Sequence, residues 1–492
     1  MSEFEIKLNV PGDRLAAVQA AVRRGESRDE RLRARYFDTE DGKLAARQVV
    51  LRLRQEGRHW VQTVKAPGDG MLDRLEHEVV LAEGEDARIR LARHKGTDAG
   101  KLLADALGGL GAKADASLGE QFRTDISRTT RLLTVGTTTV ELALDTGRVI
   151  AGRRHEDIAE LELELKQGSR ASAIELAQRW CEQHGLWLDT VTKSMRGRRL
   201  AAAEERIEPT GFEAPELDAN MDVPAVARAV VGSALSQVLG NASAIAADAY
   251  ADEHVHQMRV GLRRLRTALR EFQTLAPFCS PAEIQVLKDA FRALGAYRDS
   301  TYVEPRLIRQ MEADGAPSGR LHVPRSDPPD PGATVREGRL QSVLLHVLGN
   351  LCTDGELPAA DPHALHALIE ARLKKLHRRV RKGTKDFAAL PLEGQHALRK
   401  RLKHLRYLAD FVGTLYRRTQ VEDFLETIKP LQDALGEYQD TITALSAWNE
   451  RTAIEAPAWF AVGWLQANRR AALAECEKAC RRFRAEVRPF WR

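Results

Sequence analysis

Residues 3–10 read EFEIKLNV and residues 159–166 read AELELELK. Both alternate strictly: Glu3, Glu5 and Lys7 against Phe4, Ile6 and Leu8, and Glu160, Glu162, Glu164 and Lys166 against Leu161, Leu163 and Leu165. Period two belongs to an extended strand, whose successive side chains point to opposite faces, so each stretch has one charged face and one apolar face. A single strand of this kind is most simply half-exposed, with its charges in solvent. The pattern recurs, however: Arg52 and Arg54 alternate with Leu51 and Leu53, Glu76 and Glu78 share one face, and Glu141 and Asp145 share another. A sheet with helices on its apolar side can then close so that the charged faces line a tunnel. Such an interior is very costly if empty and workable if it holds ions of both signs.

The composition of that interior points to its cargo. Several carboxylates together call for a hard divalent cation, Mg²⁺ or Mn²⁺, which prefers oxygen ligands. Several Arg and Lys call for a polyanion, since guanidinium binds phosphate in bidentate fashion. A metal-chelated phosphate chain meets both demands.

Working outward, residues 1 to about 200 read as mainly antiparallel β: RARYFDT, QVVLRLRQ, HWVQTVK, DRLEHEVVL, QFRTDISR and TTVELALD add further period-two runs. Residues 201–218, AAAEERIEPTGFEAPELD, are acidic, hold two prolines and have no sustained period, which predicts a linker. From 219 to 492 the pattern is helical. A Pro- and Gly-rich interruption at 314–334 divides this part into units of about 219–313 and 335–492 and reads as a mobile connection. The flanks repeat: HQMRVGLRRLRTALREF at 256–272 aligns with HALRKRLKHLRYLADF at 396–411, and LGAYRDSTYV at 294 with LGEYQDTITA at 435, at offsets of 140 and 141 residues. Two segments recurring at nearly one spacing argue for duplicated helical bundles.

The chain has 492 residues with a formal charge of +5, a balance that hides an asymmetry. Residues 219–492 hold 40 Lys and Arg against 32 Asp and Glu, leaving 35 against 38 for the first part. A basic second part suits nucleic acid, a membrane surface or a phosphate polymer, and charge alone does not choose. The five cysteines are scattered without a C-x-x-C pair, which indicates neither a disulfide framework nor a thiolate zinc site and fits a reducing cytoplasm. The start MSEFEIKLNV has no apolar signal core, and no stretch reads as a membrane span, so a cytoplasmic protein is expected.

On a helix, His256, Arg259, Arg263 and Arg266 form one stripe roughly 15 Å long, and His396, Arg399, Lys403 and Arg406 reproduce it. Like charges in a stripe weaken their own helix, and an anion spanning them relieves that cost. The run LKKLHRRVRKGTK, with Lys374, Lys375, Arg378, Arg379, Arg381 and Lys382, is the densest positive cluster; it suits either an extension of the anion track or a solvated face. No aromatic stacking pattern or reader motif accompanies these cations, so nucleic acid is not the expected partner.

The first 200 residues resemble the CYTH domain, the family of triphosphate tunnel metalloenzymes. The resemblance runs through EFEIK, YFDT, LRLR, TVK, RLEHE, ELALD with the following GRVIAG, ELELELK and TKSMRG. It implies an eight-stranded antiparallel tunnel with flanking helices that binds a triphosphate with two divalent ions and cleaves a terminal phosphoanhydride. Carried over by position, Glu3, Glu5, Asp145 and members of the set Glu160, Glu162 and Glu164 would hold metal. Lys7, Arg52, Arg54, Lys65, Arg123 and Lys193 would grip phosphate, with Glu3, Glu5, Lys7 and Lys65 serving catalysis. Arg128 and Arg196 would be additional phosphate ligands, and Glu76, Glu78 and Glu141 would order water or a neighbouring Arg. Substrates across the family include inorganic triphosphate, thiamine triphosphate and ATP.

Residues 219–492 resemble the CHAD domain through HQMRVGLRRLR, LGAYRD, HALRKRLKHLRY and LQDALGEYQD. That resemblance implies two pseudo-symmetric helical bundles binding inorganic polyphosphate through His256, Arg259, Arg263, Arg264, Arg266, His396, Arg399, Lys403 and Arg406, with Tyr407 adding a contact. The second unit has Gln439 where the first has Arg298, which breaks the mirror at that position. The whole reads as an α+β multidomain protein. Inorganic triphosphate is its expected substrate, polyphosphate its expected second ligand, and the cytoplasm or a polyphosphate granule its expected location. A non-catalytic polyphosphate scaffold and an enzyme for an organic triphosphate are the alternatives.

Overall fold

The computed structural model describes residues 2–68, 72–218, 220–273, 278–316, 321, 328–352, 362–453 and 456–491. Among these residues there are nine strands: β1 (Ser2–Asn9), β2 (Arg28–Thr39), β3 (Val50–Glu56), β4 (His59–Pro67), β5 (Asp73–Val80), β6 (Leu118–Val135), β7 (Thr138–Ala151), β8 (Arg154–Gln167) and β9 (Trp187–Leu188). Their order is β5-β4-β3-β2-β6-β7-β8-β1-β9, and a further β5–β1 pairing closes the first eight into an antiparallel barrel. Gly136 and Gly152, with φ of 61° and 58°, take the left-handed backbone that the tight β6–β7 and β7–β8 turns require.

Register decides what the barrel contains. Lys7 lies opposite Glu162, Arg128 opposite Asp145, Asp145 opposite Glu160, and Lys65 opposite Glu76, so the charged rows of six strands share the inner face. The same register brings Leu32, Ala34, Tyr36, Phe122, Ile126, Val149, Ala151 and Ile158 to that face, where they form a second, apolar cluster. The interior is therefore charged in one part and apolar in another.

Helices cover the barrel from outside. In the first half these are α1 (Leu15–Val22), α2 (Lys43–Ala46), α3 (Asp98–Leu107), α4 (Ala112–Asp115), α5 (Arg170–His184) and α6 (Lys193–Ala202). Leu51, Val64 and Ala66 pack outward against Leu44, Leu91, Ala99 and Leu103. On the far side Ile6, Leu8, Leu142, Leu144, Leu161 and Leu163 pack on Val18, Val22, Ile174 and Ala177. Burying such side chains contributes about 1.5–3 kcal/mol each, which offsets the cost of enclosing charge on the other face. The exception is α6, which lies on the inner side: Leu200 joins the apolar cluster, and Lys193 reaches the carboxylates.

The second half is helical: α7 (Val223–Ala246), α8 (Asp252–Phe272), α9 (Pro281–Arg298), α10 (Glu304–Ala313), α11 (Pro331–Arg336), α12 (Gly338–Cys352), α13 (Pro362–Gly383), α14 (Leu392–Val412), α15 (Arg418–Arg451) and α16 (Ala458–Glu486). Between α9 and α10, Asp299–Val303 forms a π-helical turn, whereas the matching LGEYQD of the second unit lies in the continuous helix α15. Of the interruption at 314–334, residues 317–320 and 322–327 lie outside the described residues, and 331–336 is helical. The helix α7 corrects the expectation that no stretch would pass for a membrane span: it is long and apolar enough, but 61% of its apolar window is buried within the fold.

The two halves share one continuous core through α5, α7 and α12. Residues 204–218 run along the helical half, where Thr210 and Asn241 exchange hydrogen bonds of 3.2 and 2.9 Å.

Gly197 of α6 seats that helix, since a β-carbon there would lie 2.1 Å from the ring of Phe122, which is itself stacked on Tyr36 at 4.4 Å. Gly197→Ala is expected to destabilise the protein by about 1–3 kcal/mol through overpacking, read as a lower urea midpoint. An unchanged midpoint would contradict this seating of α6.

Candidate functional site

The inner charges form a connected lattice. Lys193 Nζ lies 2.7 Å from both Asp145 Oδ2 and Glu162 Oε1 and also bonds Glu160. Arg128 holds Asp145 with two bonds, of 2.6 and 2.7 Å, and reaches Glu162 as well. Lys65 Nζ is 2.5 Å from Glu76 and 3.7 Å from Glu3. Arg52 sits 3.6 Å from both Glu76 and Glu78, and Arg54 pairs with Glu56 and, at 3.4 Å, with Glu78. Lys7 Nζ donates to the Val191 carbonyl and lies 3.7 Å from Glu160 and from Asp189.

Burial and charge separate these carboxylates into two kinds. Burial disfavours the Glu162 anion, but Lys193 and Arg128 outweigh it and hold the carboxyl well below its usual range. Glu3 and Glu5 behave oppositely. Burial, reinforced by Glu76, pushes Glu3 up to about 8, and burial with Glu162 nearby raises Glu5. Burial also opposes ionisation of Glu76, but Lys65 leads the groups that bring it down to about 2. Glu3 and Glu5 are thus carboxylates short of positive charge.

Asp145, Glu160 and Glu162 offer ligand oxygens within 4.8 Å of one another. With the under-compensated Glu3 and Glu5 on the same inner face, the donor set is all oxygen and anionic, which fits a hard divalent ion. Glu164 stands apart, 2.6 Å from Lys166, with Glu141 3.6 Å from the same amine.

One sequence expectation fails outright. Arg123 is exposed on the outer face, because the parity of β6 turns Phe122, Thr124, Ile126 and Arg128 inward. Arg128 occupies the inner position expected of Arg123. Arg196 is held by Glu156 and, at 2.8 Å, by Asp189. Asp189, 4% exposed, was not foreseen; its only signal is its place in WLDT, just ahead of TKSMRG.

In the helical half the stripes of α8 and α14 converge. Arg259, Arg263 and Arg266 surround the ring of Phe291 on α9 at 5.1, 5.1 and 5.7 Å, a cation–π anchor with no counterpart in the sequence reading. Burial, then Arg263 and Arg399, lowers Lys403 from 10.5 to about 7. Burial also lowers Arg259 to about 10, with Arg298 and Arg263 adding to the effect. His396 Nδ1 lies 3.1 Å from Gln439 Oε1, Arg399 is 3.3 Å from Asp440, and Arg406 donates to Gln432 at 3.0 Å. In the first unit burial lowers His256, and Arg298 adds to that shift. The Arg298-to-Gln439 difference therefore replaces a repulsive neighbour by a hydrogen-bonding one.

Arg264 is a correction of a second kind. It is 8% exposed, pairs with Asp410 at 2.7 Å and lies over the Phe212 and Tyr407 rings at 4.0 and 5.1 Å. Its place is in the packing of α8 against α14, where Glu271 and His404 make a mirror pair of 2.7 Å. Tyr407 is buried beside it. Lys374, Lys375, Arg378, Arg379, Arg381 and Lys382 lie on an exposed face of α13.

A closed antiparallel barrel with a charged interior, carrying an all-helical half with converging basic stripes, defines a β-tunnel protein of two parts. The CYTH domain model matches residues 1–197 and the CHAD domain model residues 229–448; the chain is a CYTH–CHAD fusion. It is 27% identical over 175 residues to an inorganic triphosphatase of Haemophilus influenzae, an alignment spanning 34% of this chain and 46% of that protein, about half its length. An uncharacterized protein of Mycobacterium tuberculosis is 26% identical over 90% of this chain and 86% of its own. Among solved structures, the CHAD domain of the plant Ricinus communis covers 56% of this chain and 96% of its own, at 23% identity and a TM-score of 0.42. A putative adenylyl cyclase from Hippeastrum, described as having a dominant triphosphatase activity, covers 42% and 98% at 18% identity and a TM-score of 0.32.

The tunnel carboxylates set a pH dependence of stability. Without metal, the folded protein keeps a proton on Glu3 up to about pH 8, whereas the unfolded chain loses it near 4.5. The stability from this group is full below 4.5 and declines as pH rises to 8. Glu76 contributes with the opposite sign, its share being lost between 4.5 and about 2. Urea titrations in EDTA should show Glu3→Gln flattening the decline between pH 4.5 and 8; an unaltered slope would place the proton elsewhere.

Proposed function

We propose that the tunnel hydrolyses inorganic triphosphate to pyrophosphate and phosphate with Mg²⁺ or Mn²⁺ bound, and that the converging stripes of α8 and α14 bind inorganic polyphosphate. The observation that supports this most directly is the inner face of the barrel, where an all-oxygen anionic cluster stands beside Lys7, Arg52, Arg54, Lys65, Arg128 and Lys193. The similarity to an inorganic triphosphatase over 34% of the chain points the same way.

In this reading Glu3, Glu5, Asp145, Glu160 and Glu162 hold the metal, which when bound neutralises phosphate oxygens. Arg52, Arg54, Lys65 and Arg128 orient the chain of phosphates and spread the charge that develops as the terminal phosphoryl group separates, and Lys7 and Lys193 hold its inner end. Water is the nucleophile, and no side chain forms a covalent bond. The apolar cluster around Tyr36 and Phe122 offers no partner to a phosphate, so the ligand occupies the charged part alone. The protein acts in the cytoplasm, at polyphosphate granules where its helical half finds its ligand.

A second reading has one observation in its favour. Every carboxylate of the Asp145–Glu160–Glu162 cluster already has an ion pair to Lys193 or Arg128, as in an idle tunnel closed by its own ion pairs. The protein would then be a polyphosphate-binding scaffold.

Phosphate release measured in parallel from inorganic triphosphate, ATP, thiamine triphosphate and long polyphosphate separates these readings. Preferential turnover of inorganic triphosphate, abolished by EDTA and reduced roughly 100-fold or more by Glu3→Ala with Glu5→Ala, is expected. Activity that survives the double substitution would sink the mechanism, and binding of polyphosphate with no turnover of any substrate would favour the scaffold.

The helical half has its own test. Lys403, at about 7 before ligand binds, must take up a proton to face a polyanion above neutral pH. Affinity for long polyphosphate should be flat below pH 7 and fall above it by at most about tenfold per unit, and Lys403→Arg should remove the fall. Calorimetry in buffers of different ionisation enthalpy reads the proton uptake directly; none at pH 8 would exclude Lys403 from the site.

A further inference from the structure

The segment Trp187–Thr192 is bonded on one edge to the tunnel and on the other to the helical half. Toward the tunnel, Asp189 N–H donates to the Lys7 carbonyl at 2.9 Å, extending the β1–β9 ladder. The Asp189 carboxylate accepts from Val191 N–H and from Arg196 Nη2, each at 2.8 Å, and lies 3.7 Å from Lys7 Nζ. The Val191 carbonyl accepts from the same Lys7 amine. Toward the helices, Leu188 N–H donates to Gln341 Oε1 of α12 and Thr190 N–H to Ser243 Oγ of α7, both at 2.9 Å. The alternation follows from extended backbone, whose successive N–H groups point to opposite sides.

Gln341 and Ser243 are 1% and 2% exposed, and each is fixed in turn: Gln341 Nε2 donates to the Val335 carbonyl at 2.7 Å and Ser243 Oγ to the Leu239 carbonyl at 3.1 Å. Removing either acceptor takes the partner from a backbone N–H that is buried at Leu188 and half-buried at Thr190, and the short segment shifts to find a replacement. A shift of this segment displaces two of the three acceptors around the Lys7 amine and the Asp189 clamp on Arg196.

We infer that Gln341 and Ser243, both from the helical half, are positioning residues of the tunnel: through Asp189 and Val191 they hold Lys7 and Arg196 in place and thereby set the affinity for the triphosphate. The inference rests on the reading of the tunnel as a triphosphate site. It makes the helical half a structural part of that site, and none of the sequence stretches that carry the two family resemblances contains Gln341 or Ser243.

The test uses the full chain with Gln341→Ala, Ser243→Ala and Ser243→Thr. The last keeps the hydroxyl, and its methyl can enter the cavity of about 320 Å³ that Ser243 lines with Val191, Arg196 and Leu200. Competitive acetylation, without metal or phosphate, is read by mass spectrometry at Lys7 relative to Lys65, a tunnel lysine on β4 that does not touch the segment. The ratio should rise about threefold or more in both alanine variants and stay at the wild-type value in Ser243→Thr. With tripolyphosphate and Mg²⁺, KM should rise in the alanine variants while kcat stays within about twofold. An unchanged Lys7-to-Lys65 ratio overturns the inference, as does a raised ratio with a wild-type KM or a rise shared equally by the two lysines. A raised ratio in a protein whose wild type neither binds nor cleaves tripolyphosphate keeps the positioning role of the segment and overturns the triphosphate reading instead.

Discussion

The rest of the structure depends on the enclosure of charge by a closed sheet. Ions do not leave water unless other ions or strong hydrogen bonds replace it, and here Asp145 and Glu160, each 1% exposed, leave water together with Lys193 and Arg128. Such an interior is a poor source of stability and a strict source of register, since slipping one strand by a single residue would exchange its charged and apolar rows. The apolar outer face, packed on α1, α5 and α3, contributes the stability that the inner face lacks. The same division explains why some carboxylates inside are fully compensated and others are not. Glu162 has two cations in contact, whereas Glu3 and Glu5 have burial and other carboxylates as their dominant influences.

Alternation made most of the tunnel legible in the sequence. The parity of EFEIK, LRLR and ELELELK fixes which residues share a face whatever the partners, and Glu3, Glu5, Lys7, Arg52, Arg54, Glu160 and Glu162 all lie on the inner one. In QFRTDISR the parity was equally present, but Arg123 and Arg128 lie on opposite faces and only the apolar partners Phe122 and Ile126 say which face is inner. Counted as apolar residues of a half-buried strand, those two would be assigned to the outer core. They sit inside because this tunnel is partly apolar, a property of the assembled barrel and of no single strand. Arg264 shows the matching limit in a helix. Its neighbours Arg263 and Arg266 lie in the stripe, while it turns toward Asp410, a partner 146 residues away.

The duplicated signature also stated more symmetry than the helices keep. The crossed pairs Arg264–Asp410 and His404–Glu271 relate α8 to α14 as a two-fold axis would. Farther along, one unit has a π-helical turn after Arg298, and the other has an unbroken helix with Gln439. A π turn widens the helix by one residue and redirects what precedes it. The two stripes are therefore not equivalent: three arginines of the first gather on Phe291, while Arg399 and Arg406 of the second are held by side chains of α15.

Contacts across the two halves were the least legible feature, because they depend on residues with no pattern of their own. Gln341 is a single amide among the apolar buried positions of α12, and Ser243 shares the buried side of α7 with Gln237 and Asn241; a buried hydroxyl in a helix ordinarily bonds its own backbone, as Ser243 also does to Leu239. Their second bonds reach Leu188 of a two-residue strand that no periodicity marks and Thr190 just beyond it. Yet this strand is where the charge lattice of the tunnel ends, at Lys7, Asp189 and Arg196, and where the shared core of the two halves begins, at Trp187 and Leu188. Moving the helical half at this point would break buried hydrogen bonds and disturb paired charges at once. A short path of buried bonds thus runs from α7 and α12 into the tunnel, and the contact between the halves is made by the same segment that holds Lys7 and Arg196.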